Sequence, residues 1–168
     1  MSDAVYYYYL DASVFVKLAV DEPGSLSIKD FFNKTPNACI TQVSFIEAIG
    51  VLKRKWEGDW INPNYLQAVE HLVQWVYGGK PKIDDVSLAD PSLYKDVGKM
   101  AIKHNLDFAD ALQLFTILHG RYSPLCNGSK TRFISADKNL VIAARSHGIK
   151  TWLCSKDKNS KARNPEWT

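Results

Sequence analysis

The sequence lacks the long apolar runs that membrane proteins need. Nowhere in its 168 residues does an uninterrupted apolar stretch approach the roughly 20 residues of a membrane-spanning helix. The apolar segment nearest the start, residues 5–10, follows an acidic residue, whereas a secretory signal begins with basic residues. We therefore expect a cytoplasmic protein that is not bound to a membrane.

Cysteine is scarce, and its spacing suggests no pairing. The chain has three cysteines, Cys39, Cys126 and Cys154, and no CxxC pair. Because they are odd in number and widely separated, they predict neither a disulfide framework nor a zinc ribbon. This composition again favours a reducing, cytoplasmic compartment.

Several signatures of nucleotide and hydrolase chemistry are also missing. The sequence contains no GxGxxG, P-loop or GxSxG pattern, which argues against dinucleotide, nucleoside-triphosphate and serine-hydrolase chemistry. Its four histidines show neither HxxxH nor HExxH spacing, so a zinc hydrolase or a two-histidine ribonuclease has little support. The net charge of +3 is too small to indicate a nucleic-acid partner by itself.

The sequence does contain alternating strand and helix patterns, with a composition typical of one globular domain. The predicted strands are residues 5–10, 39–41, 83–86, 132–135 and 150–153. The predicted helices are residues 15–19, 26–33, 42–56, 63–77, 91–104, 108–119 and 138–146. Because helical crossovers join parallel strands, we predict an α/β fold, a three-layer α/β/α sandwich with a central parallel sheet. We expect one domain, residues 1–154, followed by a basic and mobile tail, residues 155–168.

Four acidic residues lie where a predicted strand ends or a predicted helix begins. Asp11 follows the first strand, Glu47 and Asp110 lie near the starts of helices, and Asp137 separates a strand from the next helix. The carboxyl ends of parallel strands share one edge of the sheet, so we expect these side chains to converge there. Clustered carboxylates raise one another's pKa values unless a cation neutralises them, and Mg²⁺ prefers oxygen ligands. The pattern therefore predicts a divalent metal site.

Helix capping offers a second explanation for the same acids. Ser44-x-x-Glu47 matches a capping box, and Asp107 and Asp137 directly precede predicted helices. Capping accounts for Asp107 better than for Asp110. Asp110 is surrounded by apolar residues in the sequence, and burying an unpaired carboxylate costs several kcal/mol. Simple solvent exposure would also explain Glu47, since it projects away from the apolar face of its helix.

Four segments, taken together and in this order, resemble the PIN-domain nucleases. They are LDASVFVKL at 10–18, SFIEAIGVL at 44–52, DFADALQLF at 107–115 and FISADKNLVIAA at 133–144. The resemblance covers most of the chain and implies a Mg²⁺- or Mn²⁺-dependent endoribonuclease similar to the VapC-type toxins of toxin–antitoxin pairs. The catalytic metal-site residues that it implies are Asp11, Glu47, Asp110 and Asp137. It also implies that Ser13 and Ser135 are polar helpers near the metal or its waters.

The resemblance carries expectations about partners as well. Proteins of this type are usually homodimers that cut RNA and are held inactive by a small antitoxin covering the acidic groove. This chain is longer than the typical small toxin, through a Trp-bearing segment at 56–81, an extra loop at 122–130 and the basic tail.

Two other functions remain open from the residues alone. The first is a phosphatase with Asp11 as its nucleophile. Such enzymes carry a DxD motif, and in this sequence Ser13 stands where the second aspartate of that motif would be. The second is a catalytically silent module of the same fold that binds RNA or protein and uses its acids only as helix caps. Basic clusters such as residues 53–55 either contact RNA phosphates or form an ordinary solvated face.

Overall fold

The computed structural model describes residues 6–35, 37–57, 65–79, 81–122, 130–154 and 165–168. In chain order the elements are β1 (Tyr7–Leu10), α1 (Ala12–Ala19), α2 (Ser25–Lys34), β2 (Ala38–Thr41), α3 (Gln42–Glu57), α4 (Tyr65–Tyr77), β3 (Pro81–Asp84), α5 (Pro91–His104), α6 (Phe108–His119), β4 (Thr131–Ser135), α7 (Lys138–Ser146) and β5 (Lys150–Leu153). Every predicted strand and helix is present in the predicted order. Parts of some predictions, such as residues 5, 63 and 64, lie outside the described residues. None of the described helices is long and apolar enough to cross a membrane.

The five strands form one parallel sheet in the order β3-β2-β1-β4-β5. From β1 the chain crosses outward to β2 and β3, and it later returns to the other side of β1 for β4 and β5. The order of the strands therefore reverses between β1 and β4, and a crevice opens outside the carboxyl ends of strands at such a point. The predicted α/β fold with a central parallel sheet is confirmed.

Both faces of the sheet are covered by helices, which confirms the three-layer arrangement. Successive residues of a strand point to opposite faces, and in the three central strands they enter two different cores. One core packs against α1, α2, α3 and α4, and the other packs against α6 and α7. The strand residues of the first core include Leu10, Ile40 and Ile134, and those of the second include Tyr9, Cys39 and Phe133.

Strand β3 begins and ends two residues earlier than the predicted 83–86. It pairs with all four residues of β2, from Pro81 opposite Ala38 to Asp84 opposite Thr41. Proline suits the first position of this edge strand because it has no N–H to donate. Asp84 is fully buried and accepts hydrogen bonds from Tyr9 Oη at 2.6 Å and from two backbone N–H groups. These contacts end the strand.

Helix α3 begins at Gln42, as predicted, so the capping box at Ser44, the alternative explanation of Glu47, is wrong. Ser44 is the third residue of the helix, and its N–H donates to Thr41 Oγ1 at 3.1 Å. Thr41 is therefore the residue that caps α3. Glu47 lies in the second turn and has no capping role.

The end of the basic tail is packed against the sheet, although we predicted a mobile tail. Thr168 exchanges two backbone hydrogen bonds with Thr151 of β5, at 2.9 and 3.0 Å. The Trp167 ring lies 5.6 Å from that of Tyr8 and 6.0 Å from that of Phe31. Residues 165–168 are thus held in place, while residues 155–164 lie outside the described residues.

Candidate active site

A cleft of about 390 Å³ opens beside the segments that follow β1 and β4. All four acids that the sequence singled out, Asp11, Glu47, Asp110 and Asp137, line this cleft. Ser13 lines it too. The fold therefore brings together side chains from four distant segments, at the point where the strand order reverses.

Asp11 is the most firmly held of the four acids. It is only 6% exposed. Its Oδ1 accepts a hydrogen bond from the Ala12 N–H at 2.7 Å, which caps α1. Its Oδ2 accepts two further bonds, from Ser13 Oγ at 2.6 Å and from Ser135 Oγ at 2.9 Å. These bonds fix the position of the carboxylate at the base of the cleft.

Ser135 connects Asp11 to the neighbouring acid, Asp137. Its hydroxyl oxygen accepts a hydrogen bond from the Asp137 N–H at 2.9 Å while the hydroxyl donates to Asp11. Asp137 in turn caps α7, since its Oδ1 accepts from the Asn139 and Leu140 N–H groups at 2.6 and 3.0 Å. Both predicted serines thus contact the acids directly.

Glu47 and Asp110 are not helix caps. Asp107 caps α6, because its Oδ1 accepts a hydrogen bond from the Asp110 N–H at 2.8 Å. Both Glu47 and Asp110 are partly buried. Capping therefore explains Asp11, Asp107 and Asp137 but not Glu47 or Asp110, although the first turn of α6 is a favourable place for the charge of Asp110.

The environment of the cleft disfavours negative charge at these two positions. Burial, together with the charges of the surrounding carboxylates, Asp107 first among them, raises the pKa of Asp110 to about 7. Burial and the charges of Asp11 and Asp107 also raise the pKa of Glu47, against which Arg54 acts in the opposite direction. Of the six ion pairs between described residues, none includes an acid that lines the cleft. The cleft therefore carries an excess of negative charge.

The donor chemistry of the cleft suits a hard divalent cation. Carboxylate oxygens are the ligands that Mg²⁺ and Mn²⁺ prefer, and a cation would offset the repulsion that raises the pKa of Asp110. As the side chains stand, however, no group of three or more His, Cys, Asp or Glu among the described residues could hold a metal ion. The residues fit the ion in type, and Mg²⁺ commonly binds through one or two carboxylates with water completing its coordination.

A basic residue also lines the cleft, and the sequence indicated it only as a member of the basic cluster 53–55. Arg54 is one of three consecutive basic residues, and the structure gives each a different environment. Lys53 Nζ bonds Glu57 Oε1 at 2.6 Å, and Lys55 Nζ bonds Glu22 Oε2 at 2.5 Å. Arg54 alone of the three lines the cleft. Its spacing of seven residues from Glu47, two turns along one helix face, is the signal that could have identified it.

Fold and cleft together describe an α/β domain with an acidic cleft at the point where the strand order reverses. The PIN domain matches residues 8–145 of the sequence. The chain therefore belongs to the PIN-domain family, whose members are typically metal-dependent nucleases. No curated protein matches the sequence.

Two solved structures are similar to the chain. The crystal structure of PAE2754 from Pyrobaculum aerophilum has a TM-score of 0.58 at 19% sequence identity, covering 88% of this chain and 91% of that one. The crystal structure of FitAcB from Neisseria gonorrhoeae has a TM-score of 0.49 at 13% identity, covering 82% of this chain and 93% of that one. The similarity to PAE2754 supports the fold and nothing more, because the two sequences are only 19% identical.

Proposed function

We propose that the protein is an endoribonuclease that hydrolyses RNA phosphodiester bonds with a divalent cation, Mg²⁺ or Mn²⁺, in the acidic cleft. One observation carries the proposal: four carboxylates from distant segments line one cleft, and no basic side chain among the described residues pairs with them. Membership of the PIN-domain family supports it. The bound ion would supply activation of the attacking water and stabilisation of the leaving oxygen, giving a 5′-phosphate and a 3′-hydroxyl.

Each acid has a role that follows from its surroundings. Asp11 is fixed by three hydrogen bonds and would be a central ligand, together with the partly buried Asp110. Asp137 is exposed at the start of α7 and would complete the metal site. Glu47 would hold a second ion or orient the attacking water, a role that suits a carboxylate without capping bonds. Ser13 would keep Asp11 in its orientation.

The sequence around Asp11 favours nuclease over phosphatase chemistry. The hydrogen bonds to both Asp11 oxygens fix the carboxylate and do not distinguish the two reactions. Phosphatases of this kind carry a DxD motif, and Ser13 replaces its second aspartate. A phosphoenzyme trapped on Asp11 would contradict our proposal and support the phosphatase.

The proposal is tested by RNA cleavage with and without EDTA. We expect EDTA to abolish cleavage, and the substitutions Asp11→Asn and Asp110→Asn to lower it by about a hundredfold or more, because each removes a charged ligand. Asp96→Asn is the matched control, since Asp96 is exposed and pairs with Lys99 on α5. Cleavage that is indifferent to EDTA and to Asp11→Asn would rule out this mechanism.

Calorimetry separates the enzyme from a catalytically silent module. A nuclease site should bind Mn²⁺ or Mg²⁺ in the millimolar range or more tightly, and Asp11→Asn should weaken that binding. No detectable binding of either ion would favour acids that serve only as caps.

We also propose the finer biological role that the family resemblance implies, a toxin that forms homodimers and is inhibited by an antitoxin. Growth arrest on expression, relieved by the product of a short neighbouring gene, would support this role. Light scattering tests the homodimer separately. Harmless expression of a catalytically active protein would contradict the toxin role and leave the nuclease proposal standing.

A further inference from the structure

We propose that Arg54 is a substrate-binding residue of the acidic cleft, whose guanidinium holds a phosphate of the RNA strand beside the bond that is cut. This inference rests on the proposed nuclease function and assigns a role to the basic side chain that lines the described cleft.

The helix α3 presents Arg54 and Glu47 to the same cleft. Glu47, Gly50 and Arg54 follow one another at spacings of three and four, so they share one helix face, and all three line the cleft. Gly50 leaves the space between the two charged side chains open. A Cβ built at Gly50 would lie 3.6 Å from Arg54 Nη1, which shows that the guanidinium packs over this glycine.

The neighbouring basic residues of α3 are committed elsewhere. Lys53 pairs with Glu57 and lies 4.7 Å from the centre of the Trp56 ring, and Lys55 pairs with Glu22. Arg54 is exposed and forms no ion pair within the described part of the chain, although it shares the cleft with four carboxylates. Its charge is therefore available to a ligand.

A polyanionic substrate needs such a charge in this cleft. Four ionised carboxylates repel RNA phosphates, and a single divalent ion offsets only half of their charge. A guanidinium adds a fixed positive charge and a planar fork of donors that matches two oxygens of one phosphate. Because Arg54 lines the cleft together with the four acids, it would hold the strand while the acids act on the adjoining phosphodiester.

The test compares Arg54→Ala and Arg54→Lys with Lys53→Ala, which removes one positive charge from the same helix away from the cleft. Cleavage of a labelled single-stranded oligoribonucleotide gives KM and kcat in Mg²⁺, and anisotropy gives the Kd of the same RNA in Ca²⁺. Thermal melting confirms that each variant is folded.

We expect Arg54→Ala to raise KM and Kd by about tenfold or more and to change kcat by less than about threefold. The slope of log Kd against log salt concentration should fall by about one, the contribution of one lost phosphate contact. Arg54→Lys should restore the salt slope but only part of the affinity, because lysine lacks the planar fork. Lys53→Ala should leave KM unchanged.

Two results would overturn the inference while leaving the nuclease standing. In the first, the wild-type protein cleaves RNA and Arg54→Ala leaves KM and the salt slope unchanged. In the second, Arg54→Ala lowers kcat at constant KM and moves the pH profile upward, which means that Arg54 acts only as a counter-ion of Glu47. If the wild-type protein neither binds nor cleaves RNA, the proposed function itself fails, and this inference fails with it.

Discussion

Asp110→Asn is the substitution that tests whether the cleft holds unfavourable charge. Burial, followed by the charges of nearby carboxylates, raises the pKa of Asp110 from its ordinary value of 3.8 to about 7. The folded protein therefore holds this proton more tightly than the unfolded chain, and its stability falls as the pH rises from about 4 through about 7. Asparagine has nearly the same shape and carries no charge. Without a divalent ion, the variant should be more stable than the wild type at pH 8.

The size of this gain follows from the pKa. Each tenfold change in proton affinity corresponds to about 1.4 kcal/mol, so the rise from 3.8 to about 7 corresponds to about 4 kcal/mol before screening. Water reaches this partly exposed side chain and screens much of that energy. We expect the free energy of unfolding to increase by about 1 to 2 kcal/mol above pH 7. The gain should shrink steadily toward pH 4.

Urea unfolding in EDTA at several pH values between 4 and 8 measures the effect. The control is Asp96→Asn, which removes an exposed carboxylate paired with Lys99 and should give no gain at pH 8. Addition of Mg²⁺ should stabilise the wild type more than Asp110→Asn and so narrow the difference between them. The reasoning is refuted if Asp110→Asn is no more stable than the wild type at pH 8, or if its gain is the same at every pH.

Three further predictions concern contacts outside the cleft. Gly120→Ala should lower the free energy of unfolding by about 1–3 kcal/mol in urea, because its Cβ would lie 2.6 Å from Asp84 Oδ1; unchanged stability would contradict the close packing. Tyr9→Phe removes the 2.6 Å hydrogen bond to the buried Asp84 and should cost about 1.5–3 kcal/mol, measured the same way, whereas a neutral substitution would mean that the bond contributes nothing. The Nε2 atoms of His104 and His147 lie 3.0 Å apart, and burial lowers the pKa of both side chains. The unfolded chain therefore binds more protons than the folded protein, and the free energy of unfolding falls as the pH falls below about 6.5. Melting curves of His104→Gln should therefore show a smaller loss toward pH 5 than those of the wild type, and parallel curves would contradict the assignment.

Much of the fold could be predicted because its elements are defined by local patterns. Helices α5, α6 and α7 and strand β5 begin and end at the predicted residues, since apolar periodicity and capping acids mark them in the sequence. Strand β3 was misplaced because its ends depend on pairing with β2 and on the contacts of Asp84. The predicted strand 39–41 and helix 42–56 place the start of α3 correctly, and this start leaves Thr41 rather than Ser44 as the capping residue.

The meeting of the four acids could be predicted for a different reason. Parallel strands end at one edge, so acids that follow the neighbouring strands β1 and β4 or begin nearby helices are expected to approach one another. The position of Arg54 follows from that of Glu47 rather than from the end of a strand. Composition alone does not distinguish Arg54 from Lys53 and Lys55, but once Glu47 is assigned to the cleft, the spacing of seven residues places Arg54 on the same face of α3.

Capping and metal binding were opposed as explanations of these acids, yet the structure makes them compatible. Asp11 and Asp137 each cap a helix through Oδ1, and such bonds fix a carboxylate relative to its helix before any ion arrives. Glu47 and Asp110 have no capping bond, so their side chains are the ones free to turn toward a cation. The cleft thus combines two fixed carboxylates with two adaptable ones. The charges of the neighbouring acids help to raise the pKa of Asp110, yet no three of these side chains form a group of metal ligands among the described residues.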